Sequence, residues 1–290
     1  MTDLSFILWV QQFSTPFLDG FFRWITLLGD QEYYMIVLPL IYWIYSKEFG
    51  IRFAIVFVLS IYLNNAIKYN YMVERPDAAV HLIEEDGFSF PSGHAQGNTA
   101  FWGYLAREIN RKWAYIIAGV LIALVAFSRV YLGVHFPLDV IAGVLIGLLI
   151  LAGFEFLHRR GSLSLNGKAY YLLTGAIVLM LYLNKSFGLS PTVLGFILSA
   201  LWGYRIEKAH IKFTEKAAWW QQVIKGVAGV AVLFALRQLT RTVFISLPGI
   251  AEEQELLMSL MTFLRYFVMG AWITLGAPWL FKTAKLYRKN

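Results

Sequence analysis

The sequence predicts an all-α fold, a polytopic membrane helical bundle of about nine transmembrane helices with an N-terminal interfacial helix. Three observations lead there. Of the 290 residues 58% are hydrophobic and only 15% charged, whereas a soluble domain carries roughly 25% charged residues. Apolar stretches long enough to cross a bilayer recur along the chain between short polar loops. The lysines and arginines behind the net charge of +7 are dispersed among those stretches, so the charge reads as topology and nucleic acid is not an expected partner. A soluble globular enzyme is excluded. With no cysteine, disulfides, a thiolate nucleophile and cysteine metal sites are excluded too.

Residues 1–28 include Asp3, lack a basic amino-terminal region and interrupt their apolar run with Gln11, Gln12, Pro16 and Asp19. That pattern suits an interfacial or re-entrant helix, not a cleavable signal peptide. Spans are then expected near 29–46, 50–70, 92–107, 113–132, 136–157, 168–184, 190–206, 218–245 and 253–281. Charged loops separate them. Lys47 and Arg52 flank the first boundary, Arg107, Arg111 and Lys112 the third, Arg159, Arg160 and Lys168 the fifth, and Arg205, Lys208, Lys212 and Lys216 the seventh, with Lys282, Lys285, Arg288 and Lys289 in the tail.

Those loops alternate, so the basic excess lies on one side. The opposite segments carry Asp19, Asp30, Asp77, Glu84, Glu85, Asp86, Glu252, Glu253 and Glu255. The basic side is expected to be cytoplasmic, with the amino terminus outside and the carboxyl terminus inside. No linker, low-complexity tract or repeat divides the chain. It reads as a single membrane domain, 1–290, with a catalytic core over 29–157 and additional transmembrane helices over 165–290.

Ionisable groups near a membrane are costly and are paired, snorkelling or functional. Three clusters fall at the same, outer end of their spans: Lys68 with Arg75 and Pro76; Pro91, Ser92, Gly93 and His94; and Ser128 and Arg129 with His135 and Asp139. Each alone has an ordinary reading: Lys68 and Arg75 as interfacial anchors, Ser92 as a helix cap, His135 and Asp139 as a structural pair one turn apart. Together they converge. Successive spans alternate in direction, so all three reach one membrane face as parts of one site.

Two histidines, an aspartate and three cations make a poor metal cage and a good cradle for a dianion, and phosphate fits best. No metal or other cofactor is expected. Backbone N–H groups near Ser92 and Gly93, at a helix N-terminus, would face the anion. Arg75 and Arg129 can each form paired hydrogen bonds to its oxygens, and Lys68 adds a point charge. His135 is the candidate nucleophile, because a carboxylate at Asp139 would hold one ring nitrogen protonated and leave the other with a lone pair. His94, beside the cradle and without a carboxylate in its own motif, is the candidate general acid for the leaving alkoxide.

The ordered pattern Lys68-x6-Arg75-Pro76, Pro91-Ser92-Gly93-His94 and Ser128-Arg129-x5-His135-x3-Asp139 resembles, without departure at those positions, the three-part signature of the type-2 phosphatidic acid phosphatase superfamily. The resemblance covers roughly 29–157. It implies a phosphohistidine on His135, proton donation by His94, orientation of His135 by Asp139, and phosphate contacts from Lys68, Arg75, Ser92, Gly93 and Arg129. The layout of spans is similar to the glucose-6-phosphatase and sphingosine-1-phosphate phosphatase branches.

The expected function is therefore integral membrane, metal-independent hydrolysis of a lipid phosphate monoester or pyrophosphate, such as phosphatidic acid, a sphingoid phosphate or a polyprenyl pyrophosphate, at the extracytoplasmic face. Membrane lipids and the phosphorylated lipid substrate are the expected partners. Motifs at helix ends lie at headgroup depth, where a lipid phosphate reaches His135 with its acyl chains still in hydrocarbon. Glu84, Glu85 and Asp86 would repel a freely diffusing dianion more than one delivered along the bilayer. Alternatives are a phosphotransferase using the same phosphohistidine, a glucose-6-phosphatase-like sugar phosphatase, and a non-catalytic lipid transporter. The carboxyl-terminal half has no motif. Its Arg237, Arg241 and Arg265 are either paired or snorkelling in the bundle or a second headgroup contact, while His81 and His158 read as ordinary.

Overall fold

Residues 3–159, 174–175, 191–245 and 255–288 of the computed structural model are described below. All regular structure among them is helical, and five helices are long and apolar enough to cross a membrane: Lys47–Tyr71, Lys112–Tyr131, Pro137–Arg159, Trp219–Val243 and Leu256–Thr283. The span expected at 168–184 lies outside the described residues but for 174–175. By contact the chain divides into two compact units, one of 1–34 and 56–165, the other of 35–55 and 166–290.

In the first unit, residues 3–28 contain two helices, α1 (Ser5–Gln11) and α2 (Pro16–Thr26), of 7 and 11 residues. Each is shorter than a bilayer crossing requires. Thr15 caps α2 by accepting from Leu18 N–H, and Pro16 takes the first helical position, where no N–H is needed. Their inner faces pack on the turn that follows the fourth expected span: Ile7 joins Val130, Phe136 and Val140, while Val10 and Phe22 join Tyr131, Leu132 and Val134. Tyr131 donates to Asp19 at 2.5 Å across the same contact. Exposed Phe17 and Trp24 stand on the outer side of α2.

The expected first span is instead α3 (Gln31–Leu40), with Pro39 inside it, followed by a π-helical turn over Ile41–Tyr45. The proline removes a ladder hydrogen bond and the wider turn accommodates it. α4 (Lys47–Tyr71) matches the second expected span.

α5 (Gly93–Ile109) is the helix over the third expected span, and it is the most polar. Its Gln96, Asn98 and Thr99 are fully buried. Gln96 donates to the Ser60 carbonyl at 2.7 Å, Asn98 to the Tyr34 hydroxyl at 3.1 Å and Thr99 to the Ala95 carbonyl at 2.8 Å, so these groups are satisfied inside the unit. Asn110, in the left-handed conformation, ends the helix. α6 (Lys112–Tyr131) and α7 (Pro137–Arg159) pack against α5. Gly143 of α7 lies so close to α5 that a Cβ there would meet the Ser92 carbonyl oxygen at 2.6 Å.

The second unit contains α8 (Pro191–Ile206), α9 (Trp219–Ile245), α10 (Glu255–Ala271) and α11 (Ala277–Thr283), with α8 packed on α10. Its polar interior is a cluster at one end: buried Glu207 pairs with Lys47 at 3.0 Å and accepts from Phe213 N–H at 2.6 Å, while fully buried Lys225 donates to the carbonyls of Trp43 and Glu215.

Candidate active site

All the motif residues lie in the first unit. After α6 the chain reverses over Leu132–Phe136, and the N–H groups of Val134 and His135 both return to the Arg129 carbonyl, at 3.2 and 3.3 Å. Gly133 has φ +77°, and a Cβ there would approach the Val80 carbonyl oxygen to 2.0 Å, so conformation and space both exclude a side chain. Pro137 then opens α7, and the Asp139 carboxylate accepts from Phe136 N–H at 2.9 Å, closing the first turn. This tight turn sets His135, 1% exposed, beside Arg129.

His135 Nε2 lies 3.1 Å from Arg75 Nη1. A guanidinium only donates, so Nε2 is the acceptor nitrogen and the proton is on Nδ1. The other side of the ring agrees. Ser89 Oγ donates to Asp139 Oδ2 at 2.5 Å and lies 3.2 Å from Nδ1. A serine hydroxyl has one proton, so having given it to Asp139 it accepts from Nδ1–H. The direct Nδ1 to Asp139 Oδ2 separation is 3.5 Å, too long for a good hydrogen bond. The expected orientation of His135 by Asp139 is thus carried mainly through Ser89.

Of the three motif cations, Arg75 is the one that meets the lone pair. Arg75 is held by the carbonyls of Asp86, Gly87 and Val134. Arg129, 1% exposed, donates through Nη1 to Thr26 Oγ1 at 2.8 Å and through Nη2 to Glu85 Oε2 at 2.5 Å, and its buried Nε has no hydrogen-bond partner among the described residues. Glu85 Oε1 also reaches Arg75 Nη2, at 3.4 Å. Lys68 donates to the carbonyls of Phe88 and Ser89. Burial, then the charges of Arg129, Arg75, Lys68 and His94, hold the His135 imidazole well below the usual histidine range. Burial pushes the Glu85 carboxyl up, but the Arg129 charge and hydrogen bond, His94 and Arg75 outweigh it and leave Glu85 below the usual range.

His94, in the first turn of α5, contacts Asp30 through Nε2 at 2.9 Å. That carboxylate comes from the segment just ahead of α3. Ser92 caps α5 through its hydroxyl, and its own N–H donates to the Asp139 carbonyl at 2.9 Å. Of the backbone N–H groups expected to face an anion near Ser92 and Gly93, that of Ser92 itself is thus used by the backbone of α7. Gly93 packs against Asn64, where a Cβ would come within 3.2 Å of its Oδ1.

The structure thus brings His135, Arg75 and Asp139 together, joins Arg129 to Arg75 through Glu85, and pairs His94 with Asp30 in the same unit. Sequence reasoning missed Ser89, Asp30 and Thr26, and read Glu85 only as part of an acidic loop. Asp30 carried a legible signal, an acid at the outer end of a neighbouring span. Ser89 and Thr26 carried none. Elsewhere, His81 meets the Pro76 carbonyl at 2.9 Å, and His158 stacks on Phe154. In the second unit Arg237 is half-buried and Arg241 exposed on α9, and the Arg265 guanidinium lies 5.7 Å from the Tyr266 ring centroid.

A lone-pair nitrogen with a fixed tautomer, a guanidinium on it, a second guanidinium joined to the first through Glu85, and a second histidine paired with a carboxylate can accept a phosphoryl group and protonate what leaves. Comparison with known proteins agrees in class. Residues 49–160 match the PAP2 superfamily, and 191–289 match the transmembrane extension of PAP2 superfamily phosphatases. Phosphatidylglycerophosphatase B of Bacillus subtilis (strain 168) is 37% identical over 164 residues, covering 50% of this chain and 79% of that protein. Lipid phosphate phosphatase delta of Arabidopsis thaliana is 30% identical over 164 residues, 50% of this chain and 39% of that protein. Undecaprenyl-diphosphatase of Sulfolobus acidocaldarius is 38% identical over 107 residues, 35% of this chain and 52% of that protein. The chain spans less than two thirds of the length of the latter two.

Proposed function

This chain belongs to the PAP2 superfamily, and from that membership we propose that it is an integral membrane phosphatase acting on a lipid phosphate monoester or pyrophosphate through a phosphohistidine on His135. The observation that carries the reading is the fixed tautomer of His135, with Nδ1–H held by Ser89 and Nε2 turned to Arg75.

In the first step the Nε2 lone pair forms the N–P bond as the P–O bond to the lipid breaks, and His94 gives its proton to the departing oxygen. Asp30 supports the protonated imidazole of His94. In the second step water attacks phosphorus, His94 takes its proton, and the N–P bond breaks to release phosphate and restore neutral His135. Arg75 and Arg129 neutralise the equatorial oxygens. The reaction is read as metal-independent because the groups around His135 are cations, which oppose a metal ion's charge.

The basic loops favour a site on the extracytoplasmic face with the carboxyl terminus in the cytoplasm. About nine spans, with α1 and α2 lying in the interface, fit the sequence pattern. The relatives named for phosphatidylglycerophosphate, lipid phosphate and undecaprenyl diphosphate favour a lipid over a sugar phosphate.

The test is phosphate release by detergent-purified protein from phosphatidylglycerophosphate, phosphatidic acid, sphingosine 1-phosphate, undecaprenyl diphosphate and glucose 6-phosphate. Activity on a lipid in excess chelator, absent in His135→Ala along with any acid-labile phosphoenzyme, is expected. A glucose 6-phosphate specificity constant matching the best lipid overturns the substrate assignment. A phosphoenzyme that persists in His135→Ala overturns the mechanism.

A further inference from the structure

The two guanidiniums of the site are bridged by one side chain of the protein itself. Glu85 reaches Arg129 with one carboxylate oxygen, at 2.5 Å, and Arg75 with the other, at 3.4 Å. One of these guanidiniums, Arg75, also meets His135 Nε2, at 3.1 Å, so the carboxylate sits on a cation that faces the proposed nucleophile. We propose that Glu85 is a further residue of the site that sets its affinity for phosphoryl groups: its carboxylate occupies the phosphoryl position between Arg75 and Arg129, and a phosphorylated ligand binds by displacing it. This rests on the reading of the His135 site as a phosphoryl-transfer site.

Three observations support the displacement. First, Glu85 gives each arginine a single oxygen, and the buried Nε of Arg129 stays without a partner among the described residues. Nε and one Nη form the edge of a guanidinium that takes an oxyanion by two parallel hydrogen bonds. A phosphoryl group, with three oxygens and a larger charge, satisfies that edge and Arg75 together, which one carboxylate does not.

Second, Glu85 has somewhere to go. Its side chain is 25% exposed, against 1% for Arg129, and its neighbours Glu84, Asp86 and Gly87 are exposed. Third, its backbone is anchored apart from its carboxylate, because Arg75 Nε and Nη2 hold the carbonyls of Asp86 and Gly87. The side chain can rotate outward while the loop keeps its place over Arg75.

The consequence is weaker binding of every phosphorylated ligand. Each affinity is scaled down to the fraction of molecules in which Glu85 has left the arginines. A lipid phosphate recovers that loss through its apolar chains. Inorganic phosphate has no such compensation, so the released product binds weakly and leaves. Glu85 therefore keeps the affinity for free phosphate low by direct competition for the arginines, beyond the general repulsion of an acidic loop.

The probe is inorganic phosphate, titrated calorimetrically into detergent-purified wild type, Glu85→Gln and the shorter Glu85→Asp, each checked for a native elution profile and melting transition. Roughly tenfold tighter phosphate binding by Glu85→Gln is expected, with a smaller gain for Glu85→Asp and stronger product inhibition in both. Unchanged or weaker binding in whichever variants are native overturns the proposal, and weaker binding shows that Glu85 instead holds the arginines in place for the ligand. The two readings fail separately. If wild type hydrolyses lipid phosphates while the variants gain no phosphate affinity, only the role of Glu85 falls. If wild type neither binds phosphate nor hydrolyses any lipid phosphate, the phosphoryl-transfer reading falls with it.

Discussion

Ser89 stands between His135 and Asp139 as a one-proton link, giving its hydroxyl hydrogen to the carboxylate at 2.5 Å and facing the imidazole Nδ1 at 3.2 Å. The carboxylate therefore acts on the ring partly at second hand. Removing the link leaves Nδ1–H with only an acceptor at 3.5 Å, in a site where an unsatisfied donor costs about 1–3 kcal/mol.

Ser89→Ala is accordingly expected to lower kcat roughly 10- to 100-fold with little change in KM, because Ser89 orients the nucleophile and does not meet the substrate. Rapid-quench measurement of phosphoenzyme formation checks it. A rise in KM with an unchanged rate of phosphorylation would place Ser89 in substrate binding instead.

Asp30 is expected to matter through His94, whose Nε2 it meets at 2.9 Å. Asp30→Asn removes the charge that supports a protonated imidazole, so hydrolysis of a lipid alkyl phosphate should fall about tenfold, a part of what a general acid contributes. An aryl phosphate with an acidic leaving group needs little protonation and should lose far less. Equal losses on both substrates count against the pairing.

The pH dependence follows from the direction in which His135 is shifted. Burial, and then the charges of Arg129, Arg75, Lys68 and His94, disfavour the imidazolium. A lowered value means that the neutral, nucleophilic ring persists as pH falls, so phosphoenzyme formation should stay level through pH ~6.5, where an ordinary histidine protonates. Its acid limb should lie lower, once the substrate's own ionisation near pH ~6 is allowed for. A limb at or above the ordinary histidine value in single-turnover experiments contradicts the shift.

Topology is open to chemical labelling because the chain has no cysteine. Asp86→Cys in the exposed motif loop should react with an impermeant maleimide on intact cells, and Arg111→Cys, in the turn between α5 and α6, only after permeabilisation. The reverse pattern would invert the orientation and the side of the chemistry.

The membrane class, the order of the helices and the candidate site residues were legible in the sequence, because each depends on neighbours along the chain. Hydrophobic length marks a span, and the four-residue spacing from His135 to Asp139 puts both at one helix start. The N-terminal segment was harder to read: α1 and α2 are two helices where one was expected, since the break ahead of Pro16 is a local turn inside an apolar run. α5 was found despite its polarity, because its motif marked where it begins.

What only the tertiary structure decided is who partners whom. Asp30 meets His94 across 64 residues, Ser89 meets Asp139 across 50, and Glu85 meets Arg129 across 44. These bonds join segments whose meeting is set by how α1, α2 and the loop after α4 settle on the ends of α5, α6 and α7. A side-chain hydrogen bond is made or lost within a few tenths of an ångström, and residue spacing along a chain does not resolve distances of that size between separate elements. Sequence alone therefore determined which groups are candidates for the chemistry, and the packing of distant segments determined that a serine sets the tautomer of His135 and that a glutamate lies between the two arginines.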